Sequence, residues 1–443
     1  SIITTRSHFG SSTAAHNSPA GRFCERHGLA MSGCCPCFAG LFGQKGGISK
    51  ELRAKAVSGF EAKFGKKPTA IGVAPGRAEV LGNHTDYNEG YILAAAIDRY
   101  IVIAGCESEF NSGSTVHSEN FQSETGVKFI TGMPEKKVGN QAWANYVIGV
   151  VDELRKAGIR VGNFDAYITG DVPPGAGVSS SAAVELATAK LLAALFPDSV
   201  GKVEALPLIK ICKAAENNFV GMGCGILDQF SSGMGKAGQL IFLDCRTCEH
   251  EYVPLKGGQF VLANTHAPHQ LVDGQYMKLR TACFEAAESL KHLTGEAITH
   301  LRDVSAETFN KHSNALTPYQ RKASSHIVTE NDRVLKIVEA LRESGDLAAM
   351  GQAMSASHGS SRDDFGNSCP ELNIMFDCAQ GIDGYLGSRL MGGGFGGCTI
   401  NLVKDGFAES FCKELTKRYK EKTGIDPSML AVKCGEGAYF EKV

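Results

Sequence analysis

The sequence predicts an α+β fold for most of the 443-residue chain. Helical and strand-like hydrophobic patterns follow one another without the strict β-α-β alternation of a doubly wound sheet. No segment repeats at a fixed period, which argues against a solenoid or a propeller. With 43% hydrophobic and 21% charged residues, the composition is that of a globular protein with a large core.

Basic and acidic side chains nearly balance, since 45 Lys and Arg face 47 Asp and Glu for a formal charge of -2. This balance predicts no nucleic-acid partner and no binding to an anionic membrane surface. The best candidate for a membrane span, residues 182–196, is interrupted by Glu185 and Lys190 and is shorter than the roughly 20 residues that a span needs. We therefore expect a soluble, cytoplasmic protein.

Fifteen cysteines are scattered along the chain. In a chain of this length they predict buried thiols in a reducing compartment rather than a disulfide framework. Two local groups, Cys34-Cys35-Pro36-Cys37 and the pair Cys245 and Cys248, lack a second Cys or His pair at zinc-finger spacing. No structural metal is predicted at either group.

Residues 1–48 differ in composition from the rest of the chain. Ser, Thr, Gly, His and Cys dominate, Glu25 is the only acidic residue, and no apolar periodicity develops. These features predict a disordered extension without an assigned domain. A transit peptide, which is also rich in Ser and poor in acids, is the alternative.

Regular hydrophobic patterns begin at Ser49. Apolar residues at helical spacing, among them Leu52 and Phe60, predict a helix over residues 51–64. Further helices are predicted over residues 143–157, 180–195, 206–219, 276–293 and 331–342. Strands are predicted over residues 69–73, 92–104, 163–169, 239–243, 259–263 and 398–403.

The strongest chemical signal is the segment 170–183, Gly-Asp-Val-Pro-Pro-Gly-Ala-Gly-Val-Ser-Ser-Ser-Ala-Ala. Its glycines allow backbone N–H groups to approach a polyanion, and three serines open an Ala-rich helix whose N-terminus attracts anions. The lysine of a P-loop and the G-x-G-x-x-G pattern of a dinucleotide-binding fold are both missing. The segment predicts a phosphate-binding loop, with a Pro-Gly turn before a capped helix as the alternative.

Three segments in one order, residues 75–88, 173–183 and 392–397, resemble the signature motifs of the GHMP kinases, named for galactokinase, homoserine kinase, mevalonate kinase and phosphomevalonate kinase. Further matches are similar to the galactokinase family in particular. These are Gly76-Arg77, His84-Thr-Asp-Tyr-Asn88, Trp143-Ala-Asn-Tyr146, Cys224-Gly-Ile-Leu-Asp-Gln229, Arg362-Asp-Asp364, Ser368-Cys-Pro-Glu-Leu372 and Gly387-Ser-Arg389. The resemblance extends from about residue 50 to Val443.

This resemblance implies a two-lobed α+β fold with the active site between the lobes. The N-terminal lobe, residues 49–240, would follow the ribosomal-protein-S5-like pattern and carry the nucleotide loop. The C-terminal lobe, residues 241–443, would close the site with the third glycine cluster. We expect a monomer or a weak oligomer.

The resemblance implies an ATP- and Mg²⁺-dependent kinase that phosphorylates the anomeric hydroxyl of galactose or a close analogue. Asp228 would be the general base or charge partner of that hydroxyl, and Arg77 would stabilise developing negative charge. A helix-capping role for Asp228 and a surface ion pair for Arg77 are the alternatives. These roles require that Arg77, Asp228 and the serine-rich turn lie close together in the folded protein.

The resemblance also implies the ligands of each substrate. The sugar would contact Glu79, Asn83, His84, Asp86, Gly225 and Tyr276. The nucleotide would contact Trp143, Pro174, Gly175, Ala176, Gly177, Ser179, Ser180, Ser181 and Gly393. Mg²⁺ would be bound by Glu216 with Ser180 or Ser181. A core position for Trp143 and a solvated helix position for Glu216 are the alternatives.

The chain departs from the family pattern at two neighbouring positions. Galactokinases usually have Glu where Asn83 stands and Asn where Glu79 stands, so a carboxylate has moved rather than vanished. We hypothesise altered recognition of the sugar's exocyclic hydroxyl, with a sugar that lacks it or carries a carboxylate tolerated better. Met391 replaces the usual Thr before the third glycine cluster.

Two other functions remain open on the sequence. One is a GHMP kinase for another sugar, such as galacturonate, L-arabinose or N-acetylgalactosamine. The other is a non-catalytic sensor that binds ATP and galactose. Because sensors tend to have lesions in the serine-rich loop and Ser179–Ala183 is unbroken, a catalytic role is favoured.

Overall fold

The computed structural model of the chain describes residues 47–109, 113–121, 125–173, 175–267 and 272–443. Of the segment 1–48, for which the sequence predicts a disordered extension, only the last two residues lie inside these ranges.

The first described helix, α1 (Lys50–Phe64), follows from local capping and from one apolar face. The Ser49 hydroxyl accepts a hydrogen bond from the Leu52 backbone N–H at 3.1 Å, which pairs one of the free N–H groups of the first turn. Gly65 ends the helix in the left-handed conformation. Leu52 and Phe60 are buried, as predicted.

Eight strands form the first sheet. They are β1 (Ala70–Leu81), β2 (Tyr91–Glu107), β3 (Ser114–Ser118), β4 (Val127–Phe129), β5 (Phe164–Gly170), β6 (Gln239–Asp244), β7 (His250–Pro254) and β12 (Tyr439–Lys442). Their order is β12-β1-β2-β5-β3-β4, and β6 pairs with both β2 and β7. Only β3 and β5 run parallel; the other pairs are antiparallel.

Strand β1 is longer than the strand predicted over residues 69–73. It continues beside β2 to Leu81, with register shifts between Pro75 and Arg77 and between Glu79 and Leu81. Irregular pairing keeps this stretch, with its glycine and proline, in the sheet and orients its polar side chains. The strand therefore carries two of the predicted site residues.

Four strands form the second sheet, which is antiparallel throughout. They are β8 (Gly258–Asn264), β9 (Tyr385–Leu390), β10 (Cys398–Lys404) and β11 (Ser428–Val432), in the order β11-β8-β10-β9. Together with the helices, the two sheets confirm the predicted α+β class.

Ten further helices complete the described part of the chain. They are α2 (Asn145–Lys156), α3 (Ser180–Leu195), α4 (Ala205–Ala214), α5 (Leu227–Met234), α6 (Val272–Thr294), α7 (Ala306–His312), α8 (Pro318–Ser344), α9 (Leu347–Ser360), α10 (Pro370–Ala379) and α11 (Ala408–Thr423). Helix α3 has the predicted bounds. No helix in the described ranges combines the length and hydropathy of a membrane span.

Two predicted helices contain turns of another type, and the helix predicted over 331–342 is only the C-terminal part of α8. The one predicted over 206–219 is α-helical only to Ala214 and continues as a π-helical turn, Ala215–Val220. The one predicted from Trp143 begins at Asn145, after a 3₁₀ turn. Hydrophobic periodicity alone does not distinguish these hydrogen-bond patterns.

Helix α3 packs directly on β1, and this contact positions the site. A Cβ atom on Gly72 would lie 2.0 Å from the Ala187 carbonyl oxygen, so only glycine allows the helix so near the strand. At the other end of the contact, the Arg77 backbone N–H donates to the Val178 carbonyl at 3.0 Å. The N-terminus of α3 thus lies beside the irregular half of β1.

Candidate active site

A cavity of about 470 Å³ brings together side chains from β1, the glycine-rich turn before α3, helices α5 and α6, and the third glycine cluster. The predicted site residues that line it are Arg77, Glu79, Asn83, His84, Asp86, Gly175, Ala176, Gly177, Ser179, Ser180, Ser181, Glu216, Asp228, Tyr276 and Gly393. Residues predicted to bind sugar, phosphate and metal therefore face one space.

Three predicted site residues are not among those that line the cavity. Pro174 lies outside the described residues. Gly225 packs behind the cavity wall, against Asp86. Trp143 is half-buried, packs on the main hydrophobic core and stacks on Phe121 with ring centroids 5.6 Å apart.

Arg77 joins the glycine-rich turn to Asp228. Its Nε donates to Asp228 Oδ1 at 2.8 Å, and its Nη1 donates to the Gly177 carbonyl at 2.5 Å. Arg77 is only 4% exposed, which excludes the surface ion pair considered above. Asp228 lies in the first turn of α5, whose N-cap residue is Ile226, so it does not cap that helix.

The second oxygen of Asp228, Oδ2, accepts no hydrogen bond from the described residues. Because Asp228 lines the cavity and its side chain is 23% exposed, this oxygen is available to a ligand. A carboxylate held on one side by a guanidinium and open on the other can accept a proton or orient a hydroxyl.

The turn before α3 has the conformation that its glycines allow. Gly175 and Gly177 have φ of 68° and 69°, and Ser179 has φ 55°. Helix α3 then begins at Ser180 without a side-chain cap, and the Ser179 hydroxyl is buried without a partner in the described structure. Unpaired N–H groups at a helix start and an unpaired hydroxyl form a site for phosphate oxygens.

Glu216 is buried in a polar pocket at the edge of the cavity. Gln229 Nε2 donates to its Oε2 at 2.5 Å, and the Ser181 hydroxyl also hydrogen-bonds to it. Burial, followed by the negative charge of Asp228, raises the pKa of Glu216. Glu216 is 6% exposed, so the solvated helix position considered above is wrong.

This pocket fits Mg²⁺ chemically. Glu216, Ser180 and Ser181 all line the cavity. Hard oxygen donors of this kind bind Mg²⁺ when phosphates and water complete its shell. The described residues contain no cluster of three or more His, Cys, Asp or Glu that could hold a metal by itself. The donor set therefore suits an ion shared with a phosphate.

Asp86 is a carboxylate kept close to two others. Burial, followed by the charges of Asp228 and Glu79, raises the pKa of Asp86 to about 6. A Cβ atom on Gly225 would lie 1.9 Å from Asp86 Oδ2, so the backbone at residue 225 approaches this carboxylate as only glycine can.

Glu79 and Asn83 contact each other in the cavity wall. Asn83 Nδ2 donates to Glu79 Oε1 at 2.9 Å, and the same oxygen forms an ion pair with Arg389 at 3.0 Å. Glu79 and Asn83 are 2% and 1% exposed. Glu79 and Asn83, the two positions at which the chain departs from the family pattern, are therefore in direct contact.

His84 connects two parts of the wall. Its Nδ1 lies 2.7 Å from the Tyr87 hydroxyl and its Nε2 lies 3.3 Å from the Gly393 carbonyl. Burial lowers the pKa of His84 to about 3, so the ring is neutral. Because a carbonyl only accepts, the proton is on Nε2, and Nδ1 accepts from Tyr87. The Tyr276 ring packs against His84 with centroids 5.3 Å apart.

Several cavity residues were not predicted individually. They are Pro173, Val178, Gly221, Met222, Gly223, Cys224, Leu227, Met277 and Gly392. Gly392 and Cys224 belong to motifs that the sequence analysis identified, so the signal for them was present. Apolar residues such as Met277 give no such signal, because in a sequence they are indistinguishable from core positions.

Three family models match the chain. They are the galactokinase galactose-binding signature over residues 58–106, the N-terminal domain of GHMP kinases over residues 145–236 and the C-terminal domain of GHMP kinases over residues 337–421. The first match contains Arg77 to Asp86, and the second contains Glu216 and Asp228.

Curated relatives match over nearly their full length. The chain is 37% identical to galactokinase from Fusobacterium nucleatum over 373 residues, which cover 82% of the chain and 93% of the relative. It is 38% identical to galactokinase from Thermotoga petrophila over 366 residues, which cover 82% of the chain and 98% of that relative. It is 37% identical to galactokinase from Bacillus subtilis over 387 residues, which cover 86% of the chain and 96% of that relative.

Solved structures agree with these matches. The crystal structure of Lactococcus lactis galactokinase complexed with galactose has a TM-score of 0.82 at 32% identity, covering 88% of this chain and 99% of that one. The crystal structure of a mevalonate kinase has a TM-score of 0.58 at 16% identity and covers 83% of this chain and 99% of that one. At this identity the similarity concerns the fold alone.

Proposed function

The chain belongs to the galactokinase family of the GHMP kinases, and from this premise we propose that it transfers the γ-phosphoryl group of ATP to the anomeric hydroxyl of galactose. One observation carries the proposal: the Arg77 guanidinium contacts both Asp228 and the glycine-rich turn. Phosphoryl transfer needs a group that orients the nucleophile, a phosphate site and positive charge at one point, and this guanidinium supplies the charge and contacts the other two.

We assign the sugar to the carboxylate-rich wall of the cavity. Asp86 and Asp228 offer oxygens that accept hydrogen bonds from sugar hydroxyls, and Tyr276 adds an aromatic face with a hydroxyl. The proposed set of sugar-binding residues is Glu79, His84, Asp86, Gly225 and Tyr276. Asn83, which the family resemblance also implies, donates to Glu79 and to the Gly392 carbonyl instead. Gly225 would act through its backbone and through the space that it leaves for Asp86.

The nucleotide phosphates are assigned to the N-terminus of α3. Support comes from the unpaired Ser179 hydroxyl and from the left-handed glycines of the turn. The proposed set of nucleotide-binding residues is Trp143, Pro174, Gly175, Ala176, Gly177, Ser179, Ser180, Ser181 and Gly393. Trp143 would contact the base from the edge of the core, and Pro174 remains a prediction from the sequence.

The reaction forms one bond and breaks one bond. The anomeric oxygen attacks the γ-phosphorus, the bond from that phosphorus to the bridging oxygen breaks, and ADP leaves. Asp228 Oδ2 takes the proton of the hydroxyl or holds it until the oxygen–phosphorus bond has formed. Arg77 offsets the negative charge on the transferring oxygens, and its bond to Asp228 fixes the distance between base and phosphate.

We propose that Mg²⁺ is bound by Glu216 with Ser180 or Ser181. When bound, the ion neutralises charge on the phosphate oxygens. Glu216 has a buried carboxylate that accepts hydrogen bonds but has no described basic side chain within salt-bridge distance. Its negative charge is therefore available to a cation. The Gln229 amide, which donates to Glu216 and Glu185, fixes the orientation of this carboxylate.

Cellular location, assembly and domain division complete the proposal. All eleven described cysteines are free thiols, which supports a reducing compartment such as the cytoplasm. A monomer or weak oligomer, to be checked by light scattering, is still predicted.

We retain lobes over residues 49–240 and 241–443, although β7 and β12 extend the first sheet with residues beyond 240.

The test is turnover of ATP with galactose, L-arabinose, galacturonate and N-acetylgalactosamine, with the product identified by phosphorus NMR. We expect galactose to have the highest kcat/KM and to gain a phosphate at its anomeric oxygen. A higher kcat/KM for another sugar would identify a kinase for that sugar. Binding of ATP and galactose without formation of ADP would identify a sensor.

A further inference from the structure

The Glu79 carboxylate is held from the protein side by two groups that the proposed reaction does not use. Arg389 Nη1 and Asn83 Nδ2 both donate to Oε1, at 3.0 Å and 2.9 Å. Arg389 is completely buried in β9. No described residue donates to the other oxygen, Oε2, which is not sealed inside the protein, and Glu79 lines the cavity. One oxygen is thus anchored, and the other is left without a donor at the cavity lining.

Asn83 has no hydrogen-bonding capacity left for a ligand. Its Nδ2 donates to Glu79 and to the Gly392 carbonyl, the latter at 2.8 Å. Its Oδ1 accepts from Asn367 Nδ2 at 2.9 Å and from the Ser361 hydroxyl at 3.4 Å. A side-chain amide has two donor hydrogens and two acceptor lone pairs, and all four are used here.

The backbone behind this pair is fixed as well. Glu330 Oε1 accepts from the backbone N–H groups of Gly82 and Asn83 at 2.9 Å and 3.3 Å, and from the Ser357 hydroxyl at 2.7 Å. His326 Nε2 lies 3.1 Å from the Asn83 carbonyl. A side chain supported by buried partners of this kind keeps its geometry when the ligand arrives.

We infer that Glu79 determines sugar specificity by accepting a hydrogen bond from one neutral sugar hydroxyl, and that Arg389 and Asn83 are positioning residues that fix its carboxylate. The inference rests on the proposed function and deepens it. A buried carboxylate oxygen without a donor is costly, so a sugar that lacks the matching hydroxyl leaves it unpaired and is rejected.

The same arrangement selects against acidic sugars. Glu79 and Asp228 both act electrostatically on Asp86, so three carboxylates lie along one wall. Arg77 and Arg389 offset two of these charges, so one net negative charge remains, and a uronate would bring another. The inference therefore departs from the expectation drawn from the sequence, which was better tolerance of sugars with a carboxylate or without the exocyclic hydroxyl.

The test uses galactose and its 2-, 3-, 4- and 6-deoxy analogues with the full-length wild-type enzyme, Glu79→Gln and Arg389→Lys. Binding affinity and kcat/KM are measured for each sugar. We expect deletion of one hydroxyl to cost the wild type about 10- to 100-fold more than it costs Glu79→Gln, because a bond to a charged acceptor has become one to an amide. Arg389→Lys raises KM for galactose with a smaller effect on kcat and weakens the same discrimination.

The matched control is Arg302→Lys, which weakens another largely buried pair, that of Arg302 with Asp244, away from the cavity lining. It keeps the wild-type ranking of the deoxy sugars. Equal penalties for every analogue in the wild type and in Glu79→Gln would overturn the inference, whichever sugar is phosphorylated. Retained discrimination in Arg389→Lys would remove its positioning role. Absence of galactose turnover by the wild type would instead contradict the proposed function.

Discussion

Gly225 lies against Asp86 so closely that a Cβ atom on residue 225 would come within 1.9 Å of Asp86 Oδ2. No side chain tolerates such an approach, so the carboxylate and the backbone preceding α5 are fitted to each other. Asp86 lines the cavity, and Asp228 follows Gly225 in the first turn of α5. The glycine thus links the orientation of one carboxylate to the position of the other.

Gly225→Ala should displace Asp86 and misplace the sugar. We expect kcat/KM for galactose to fall about 100-fold, because a shift of about 1 Å in a bound reactant has an effect of that size. ATP affinity should change little. The control is Gly274→Ala in α6, where an added Cβ meets nothing within 4 Å. Equal activities of the two variants would show that the contact does not position the sugar.

Arg77→Lys should lower kcat about 100- to 1,000-fold, because a lysine does not hold Asp228 and the Gly177 carbonyl at the same time. Galactose affinity should change much less than kcat. Steady-state kinetics with Arg418→Lys as the surface control measures both. A loss confined to KM would indicate that Arg77 only binds a substrate.

The pKa of Asp86 predicts how sugar binding depends on pH. It is raised from 3.8 to about 6, so the carboxylate is protonated below about pH 6 and ionised above it. Because the ionised form accepts hydroxyl hydrogen bonds more strongly, KM for galactose should fall as the pH rises through 6. Asp86→Asn should remove this dependence. An unchanged pH profile in that variant would assign it to another group.

The titration of Asp86 should also change the stability of the fold. Sugar binding is expected to improve as the pH rises, whereas stability is expected to fall. Between pH 3.8 and about 6 the folded protein keeps a proton on Asp86 that the unfolded chain has lost. The free energy of unfolding therefore falls as the pH rises through this window. Urea unfolding should show a wild-type decline that Asp86→Asn lacks. The difference between the two curves isolates Asp86 from other groups.

Glu216→Gln should raise the Mg²⁺ concentration that gives half-maximal activity about 10- to 100-fold, because an amide oxygen carries no charge. Maximal activity at saturating Mg²⁺ should be partly regained. The control is Glu204→Gln, an exposed carboxylate just before α4. Equal Mg²⁺ requirements in the two variants would remove Glu216 from the metal site.

Local chemistry made part of the site predictable from the sequence. The glycine-rich turn and the start of α3 depend on neighbouring residues, and the structure has both where they were predicted. The association of Arg77 with Asp228, 151 residues later, could be expected only from the family resemblance. Composition and periodicity carry no information about such a pairing.

Other parts of the site depend on the tertiary fold alone. The Arg389–Glu79 pair joins the two sheets across 310 residues, and no local pattern indicates a partner so distant. The π-helical turn that carries Glu216 has the apolar spacing of an α-helix. The exchange of Glu79 and Asn83 was visible in the sequence, but the hydrogen bonds that saturate Asn83 required coordinates.

The most direct test of the account is the turnover of galactose and ATP by Asp228→Asn, with the affinity of each substrate measured separately. The account predicts a fall in kcat of about 100- to 10,000-fold while galactose and ATP still bind, because the amide no longer accepts the proton and binds Arg77 without charge. Turnover at the wild-type rate would contradict it, since Asp228 would then take no part in the transfer.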